Sequence, residues 1–202
     1  MFAIVTDGNI TSFQKGNKGI QIGNNKYSAQ IYTLWTEAER NAIGVYTVEI
    51  DDTNKKDEEW YINTAISYAF GSGKVTGTYG TATAKAIEDE DAVDKDGNKV
   101  KDGDGNQIII DGLKTIKKRM IDNQCAGILA PSDWMVVRAT ETGGTMDSGW
   151  KTWRASVRTK CNSMQTQIDN ASDIDALAAL FTYTEQEDKS ITRPLGEFPV
   201  KE

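Results

Sequence analysis

"WKTWRASVRTKCNSMQTQI", Trp150 to Ile168, places apolar side chains at Trp150, Trp153, Val157, Cys161, Met164 and Ile168 and has no Gly or Pro between them. Steps of three and four put all six on one face of an α-helix, with Lys, Arg, Asn and Gln on the other. A stripe of this length predicts a helix with a core face, and so a helical C-terminal half.

The flanking segments extend that reading. Upstream, "APSDWMVVRATETGGTMDSG" (130–149) breaks the pattern at Pro131. Ser132 is placed to cap a new helix running through Asp133 to about Glu141, which Gly143 and Gly144 then close. Before it, Asp111 is placed to cap a helix with Leu113, Ile116, Met120, Cys125 and Ile128 inside and Lys114, Lys117, Lys118 and Arg119 outside. Downstream, "SDIDALAALF" (172–181) reads as a short helix with a capping box from Ser172 to Asp175 and with Leu177, Leu180 and Phe181 facing inward. The tail "TRPLGEFPVKE" (192–202) has two prolines and reads as extended.

The N-terminal part changes period. "FAIVTDGNITSF" (2–13) alternates around Asp7-Gly8, the strongest short-range hairpin signal. "KYSAQIYTLW" (26–35) reads as a strand. "TEAERNAIG" then reads as a short helix capped by Thr36 with Glu39 three residues on and ended at Gly44. "VYTVEI", "WYINTAISYAF" and "KVTGTYGTATA" return to strands, the last two joined by a Gly-rich turn. The expected class is α+β: a β-rich domain with one short helix over 1–86, an acidic Gly/Asp-rich hairpin-like excursion over 87–110, a helical domain of three to four helices over 111–183, and an extended tail over 184–202.

Composition limits the chemistry. The 202 residues are 38% hydrophobic and 26% charged, enough for a modest core, with no apolar run long enough to span a bilayer. "MFAIVTDGN" has neither the basic start nor the apolar core of a signal peptide, so a cytoplasmic product is expected. There is no histidine, which removes Ser-His-Asp and Cys-His nucleophile activation, the usual zinc sites and the commonest general base near neutral pH. Cys125 and Cys161 match no metal or redox spacing and are expected to be reduced, buried and apolar in role. A formal net charge of −7 opposes sequence-independent binding to a polyanion.

Four local patterns invite sharper readings. Between Glu88 and Asn106 eight carboxylates face three lysines, a local net of −5. Within it Asp102, Asp104 and Asn106 match the first, third and fifth positions of a calcium loop. Gln107 and Leu113 stand where the glycine and the bidentate glutamate belong, so exposed turns are the better reading. "FGSGK" lacks the first glycine of a phosphate loop and any hydroxyl after Lys74, and reads as a turn. Glu37, Glu39, Glu58 and Glu59 read as a solvated face rather than a glycosidase pair. The cluster of Trp134, Arg138, Trp150, Trp153, Arg154 and Arg158 has the makeup of a binding hot spot or a base-stacking platform. Over residues 111–170, however, nine cations against six acids leave only +3, too weak a field for a phosphate-tracking groove. The tryptophans are therefore expected in the helix seam, and Arg154 and Arg158 are expected to clamp the helices through Asp133, Glu141 or Asp147.

In the order "APSDWMVVRATETGG" then "WKTWRASVR", these residues resemble the C-terminal helical module of tailed-bacteriophage tail-fibre assembly and tail-associated proteins. "IYTLWTEAERNAIGVYTV" (31–48) is similar to the segment that opens many small phage tail-associated proteins. The resemblance implies a virion tail protein made in the host cytoplasm. It is expected to act without enzymatic activity or cofactor, as a structural or adaptor component bound to other tail or fibre proteins and to copies of itself in a symmetric assembly. No nucleic-acid binding or membrane insertion is expected. The alternatives are a tail-fibre assembly chaperone absent from the mature virion, and a calcium-stabilised binding module. The expected binding surfaces are the N-terminal strands, the acidic excursion and the tail.

Overall fold

The structure, a computed structural model, describes residues 1–201. The chain is a mixed α+β protein in two compact units, Met1–Thr83 and Ala84 onward.

In the first unit β1 (Phe2–Thr6) and β2 (Asn9–Gln14) form the expected hairpin. Asp7 and Gly8 both take positive φ, +48° and +77°, the two-residue turn whose twist matches that of the strands. A second hairpin joins β3 (Ile20–Ile22) to β4 (Asn25–Tyr27). The strand expected over 26–35 ends at Tyr27. Ile31–Leu34 forms a helical turn, α1, with amides bonded back to Ser28, Ala29 and Gln30. Burial of Ile31 and Tyr32 in the core outweighs the β-preference of Ile-Tyr-Thr. The unit thus has two short helices rather than one. In α2 (Glu37–Ala42) the capping box forms as expected, with Thr36 Oγ1 accepting from the Glu39 amide and the Glu39 carboxylate from the Thr36 amide. Gly44 ends it at φ +81°, where any Cβ would lie 2.6 Å from the Val5 carbonyl oxygen.

β5 (Val45–Asp51), β7 (Ser67–Gly71) and β8 (Lys74–Thr78) complete the main sheet; the two-residue strands β6 (Tyr61–Ile62) and β9 (Thr83–Ala84) lie outside it. The order is β2-β1-β5-β8-β7, antiparallel except for the parallel β5–β8 pair. "FGSGK" is the tight turn between β7 and β8, with Ser72 and Gly73 at positive φ. The sheet curls until its edge strands meet: the Phe13 ring on β2 lies 4.6 Å from that of Tyr68 on β7. Ile4, Ile20, Ile31, Tyr32 and Val45 form the core of this unit.

The second unit starts with the acidic excursion, a hairpin rooted in β10 (Glu90–Asp91) and β11 (Ile109–Ile110). The helices follow: α3 (Leu113–Leu129), a 3₁₀ turn over Ala130–Ser132, α4 (Asp133–Thr142), α5 (Ser148–Asp169) and α6 (Ile174–Phe181). A small hairpin of β12 (Thr184–Glu185) and β13 (Ile191–Thr192) interrupts the tail expected to be extended. Beyond it Leu195 is fully buried, and Lys160 donates to its carbonyl.

α3 and α5 pair antiparallel. Arg154 near the start of α5 meets Leu129 at the end of α3, and Lys118 near the start of α3 meets Asp169 at the end of α5. Their seam holds Leu113, Lys117, Ile121, Cys125 and Leu129 against Arg154, Val157, Cys161, Met164 and Ile168. The α5 stripe from Val157 onward is as expected. The α3 stripe is rotated: strict four-residue steps from Leu113 bury Lys117 and Ile121, while Ile116 is exposed and Met120 and Ile128 are only half-buried. Lys117 is tolerated because its apolar stem lies in the seam and its ammonium sits 5.0 Å from the centre of the Phe181 ring.

The caps differ in a consistent way. α3 starts at Gly112, not under Asp111, which pairs with Arg119; the Gly112 amide donates to Asp89 from the excursion instead. Ser132 caps nothing and turns its hydroxyl back to the Leu129 carbonyl. α6 is capped by Asp173, which accepts from the Ala176 amide, not by Ser172. Cys125 and Cys161 are buried free thiols, and burial pushes the Cys161 thiol up to about 12, with Cys125 beside it adding to the rise.

Candidate functional site

α4 buries none of its ten residues. Its start is fixed by Arg154, which is 4% exposed and donates to the Leu129 carbonyl (2.8 Å), to Ser132 Oγ and to Asp133 Oδ1 (2.5 Å). One guanidinium thus joins the end of α3, the 3₁₀ turn and the first residue of α4 in its planar fork. The other end is closed by Gly143 at φ +65°, and Asp147 then caps α5 by accepting from the Trp150 amide.

A helix held at both ends and only half-covered on one face, at Met135 and Ala139, exposes its other apolar residues. Trp134 is 55% exposed, Val136 42% and Val137 54%. Between α4, the Gly143–Asp147 turn and the start of α5 lie two adjoining hollows of ≈ 390 and ≈ 460 Å³. The first is lined by Val136, Ala139, Met146, Lys151 and Arg158, the second by Trp134, Arg138, Met146 and Trp150. Arg138, Lys151 and Arg158 are exposed and make no ion pair among the described residues. The one acid in the lining, Asp147, is engaged at the α5 cap. The groove therefore mixes apolar side chains with Thr140, Thr142 and Thr145 along its length and is cationic at three points.

The predicted cluster divides into two roles. Arg154 is the helix clamp, with Asp133 as its partner. Arg158 is no clamp: one turn further along α5, it points into the groove. Trp150 and Trp153 flank the seam without filling it. Both are half-buried, stacked edge to face at 5.5 Å, and Trp153 Nε1 donates to the Pro199 carbonyl while Lys201 lies over Trp150. Trp134, expected in the helix seam, lines the groove instead, together with Arg138. The sequence signal for it is "DWMVV", which sets four apolar residues, Trp134 to Val137, in a row, too close together for one helix face to cover.

In the excursion, Asp94 to Asn98 and Asp102 to Asn106 repeat one motif, Asp-x-Asp-Gly-Asn, eight residues apart. In each the first aspartate accepts from the backbone amides two and four residues on and from the Asn side chain. The Asn106 and Asn98 amides, as the main donors, hold the Asp102 and Asp94 carboxyls below the usual carboxylate range. The structure brings the weak calcium candidates Asp102, Asp104 and Asn106 into one turn, but as a self-satisfied one. Among the described residues no group of three or more His, Cys, Asp or Glu is placed to hold a metal ion. Val93, Ile108, Ile109 and Ile110 lie exposed beside these turns.

Family models, curated proteins and solved structures offer no match to this chain. Among the described residues no helix is long and apolar enough to cross a membrane.

Proposed function

We propose that the chain is a non-enzymatic, protein-binding component of a bacteriophage tail or tail fibre, retained in the virion as a structural or adaptor element. The observation that carries the binding role is α4, an ordered helix that buries none of its residues and presents Trp134 and Val136 beside three unpaired cations. Exposed aromatic and Arg side chains around a concave apolar surface are the composition of a protein-binding hot spot. The tail setting rests on the resemblance of residues 31–48 and 130–158 to tail-associated proteins. On this reading the helical second unit is the recognition module, the partners are other tail or fibre proteins and further copies of the chain in a symmetric assembly, and no cofactor takes part.

Quantitative mass spectrometry of washed, purified virions tests it. Presence at a fixed copy number per particle supports the structural role, and absence from washed virions transfers the chain to fibre assembly as a chaperone. An unchanged melting temperature in EDTA disposes of the calcium-stabilised module.

A further inference from the structure

We propose that the α4–α5 groove receives the acidic hairpin of a second copy of this chain, in a head-to-tail contact. This rests on the reading of the groove as a protein-binding surface and names its occupant.

Both faces lie in the second unit, and each has what the other lacks. The groove offers Trp134, Val136, Met146 and Trp150 among threonines, with Arg138, Lys151 and Arg158 making no ion pair among the described residues. The hairpin offers Val93 and Ile108–Ile110, the last 56% exposed, beside the carboxylates of Glu90 and Asp104, which make no ion pair among the described residues, and of Asp96, which has only an exposed contact with Lys95 at 3.7 Å. Carboxylates flanking apolar side chains are the chemistry that a cationic groove with exposed aromatic and aliphatic side chains selects.

The hairpin cannot serve its own groove. It is tied to the N-terminal end of α3, where the Leu113 and Lys114 amides donate to Ala86 and Ile87, Gly112 and Thr115 donate to Asp89, and Lys114 pairs with Glu88. The groove lies at the opposite end, where Arg154 joins Leu129 to α4. The 17 residues of α3 separate the two ends by about 25 Å. A surface at one end of a rigid helix pair that fits a surface at the other end makes a heterologous contact, which generates a ring or a filament rather than a closed dimer.

Sedimentation velocity on the full chain tests this, using a groove-reversed variant (R138E, K151E, R158E) and a hairpin-reversed variant (E90K, D96K, D104K). The wild type is expected to associate with rising concentration, at least tenfold more weakly in molar salt than in dilute buffer. Each variant alone is expected to stay monomeric with a wild-type circular dichroism spectrum, and an equimolar mixture to associate again, because each reversed face then meets its complement. A wild type that stays monomeric at high concentration and low salt overturns the contact. So does a groove-reversed variant that associates like the wild type, or a mixture that fails to recover. K151E alone, at the exposed start of α5 where an acid suits the helix dipole, keeps the test readable should a triple variant misfold: undiminished association overturns the contact. A monomeric wild type that retards single-stranded DNA assigns the groove to a polyanion and overturns it too. Failure here leaves the virion measurement unaffected, so the two readings fail separately.

Discussion

Replacing Arg154 by Ala removes the one side chain that ties α3, the 3₁₀ turn and α4 together. Its guanidinium is buried and makes three hydrogen bonds, two of them to the uncharged Leu129 carbonyl and Ser132 hydroxyl. Hydrogen bonds from a charged group contribute about 1.5–3 kcal/mol each. The third partner, Asp133, has its side chain 60% exposed, so solvent screening holds that ion pair to about 1 kcal/mol or less. Against this, the truncation relieves the desolvation of a buried cation, and the Leu129 carbonyl keeps its bond from Ser132. The balance falls at the low end of the roughly 3–5 kcal/mol typical of a broken buried pair, about 3 kcal/mol. For a unit of this size that corresponds to a fall in Tm of about 10 °C. Differential scanning calorimetry reads it directly. Asp133→Asn is expected to cost no more than about 1 kcal/mol, and Arg154→Lys about 2, because an ammonium cannot span three acceptors held in a planar fork. A melting temperature for Arg154→Ala within about 2 °C of wild type refutes the clamp. So does an Asp133→Asn variant as destabilised as Arg154→Ala, since the exposed carboxylate would then hold most of the energy.

Gly44→Ala places a Cβ against the Val5 carbonyl at a backbone angle that L-residues rarely adopt, and is expected to lower the stability of the first unit by about 1–3 kcal/mol in urea titration. Trp153→Phe removes the hydrogen bond to Pro199 for about 1 kcal/mol and is expected to speed proteolytic clipping around Phe198–Lys201, read by mass spectrometry. In native protein neither thiol is expected to react with Ellman's reagent at pH 8, whereas both react in denaturant, because the Cys161 thiol is held up at about 12 and Cys125 is buried with it. The Asp89 carboxyl is held below 3.8, first by the Gly112 amide and then by Thr115. A depressed carboxyl pKa contributes stability above its unfolded value and loses it as pH falls through the folded one, so Asp89→Asn is expected to flatten the loss of Tm below about pH 4 without changing its slope near neutrality.

Where a residue's own neighbours along the chain determine its conformation, the sequence was readable. Asp7-Gly8, the Thr36–Glu39 box, the glycine stop at Gly143 and the α5 stripe from Val157 are local devices that formed as expected. Where a distant segment supplies the partner, local rules misplaced the feature. Asp111 looked like a cap, but Asp89, 23 residues away, accepts from the Gly112 amide. Hydrophobicity alone draws the α3 stripe through Ile116, but the antiparallel seam with α5 selects the four-residue row through Lys117, whose cation finds the Phe181 ring. Arg154 and Arg158, one turn apart and alike in sequence, differ only because Leu129, Ser132 and Asp133 arrive beside the first.

That difference links the framework to the binding surface. A ten-residue helix with only Met135 and Ala139 half-buried is marginal in water, so α4 keeps its order chiefly through its ends: the Arg154 fork at the start and the left-handed Gly143 at the finish. Arg158 and Lys151, on the same helix as the fork, then lie at fixed positions across from Val136, and the groove is formed before anything enters it. A partner that lays apolar side chains along α4 meets little ordering cost and adds to the helix the burial it lacks. Weakening the fork should therefore weaken docking through the order of α4: Arg154→Lys keeps the charge but is expected to reduce self-association while leaving its salt dependence unchanged, because Arg138, Lys151 and Arg158, which set that dependence, are intact. An Arg154→Lys variant that melts lower but associates as tightly as wild type would show that α4 orders on its partner instead.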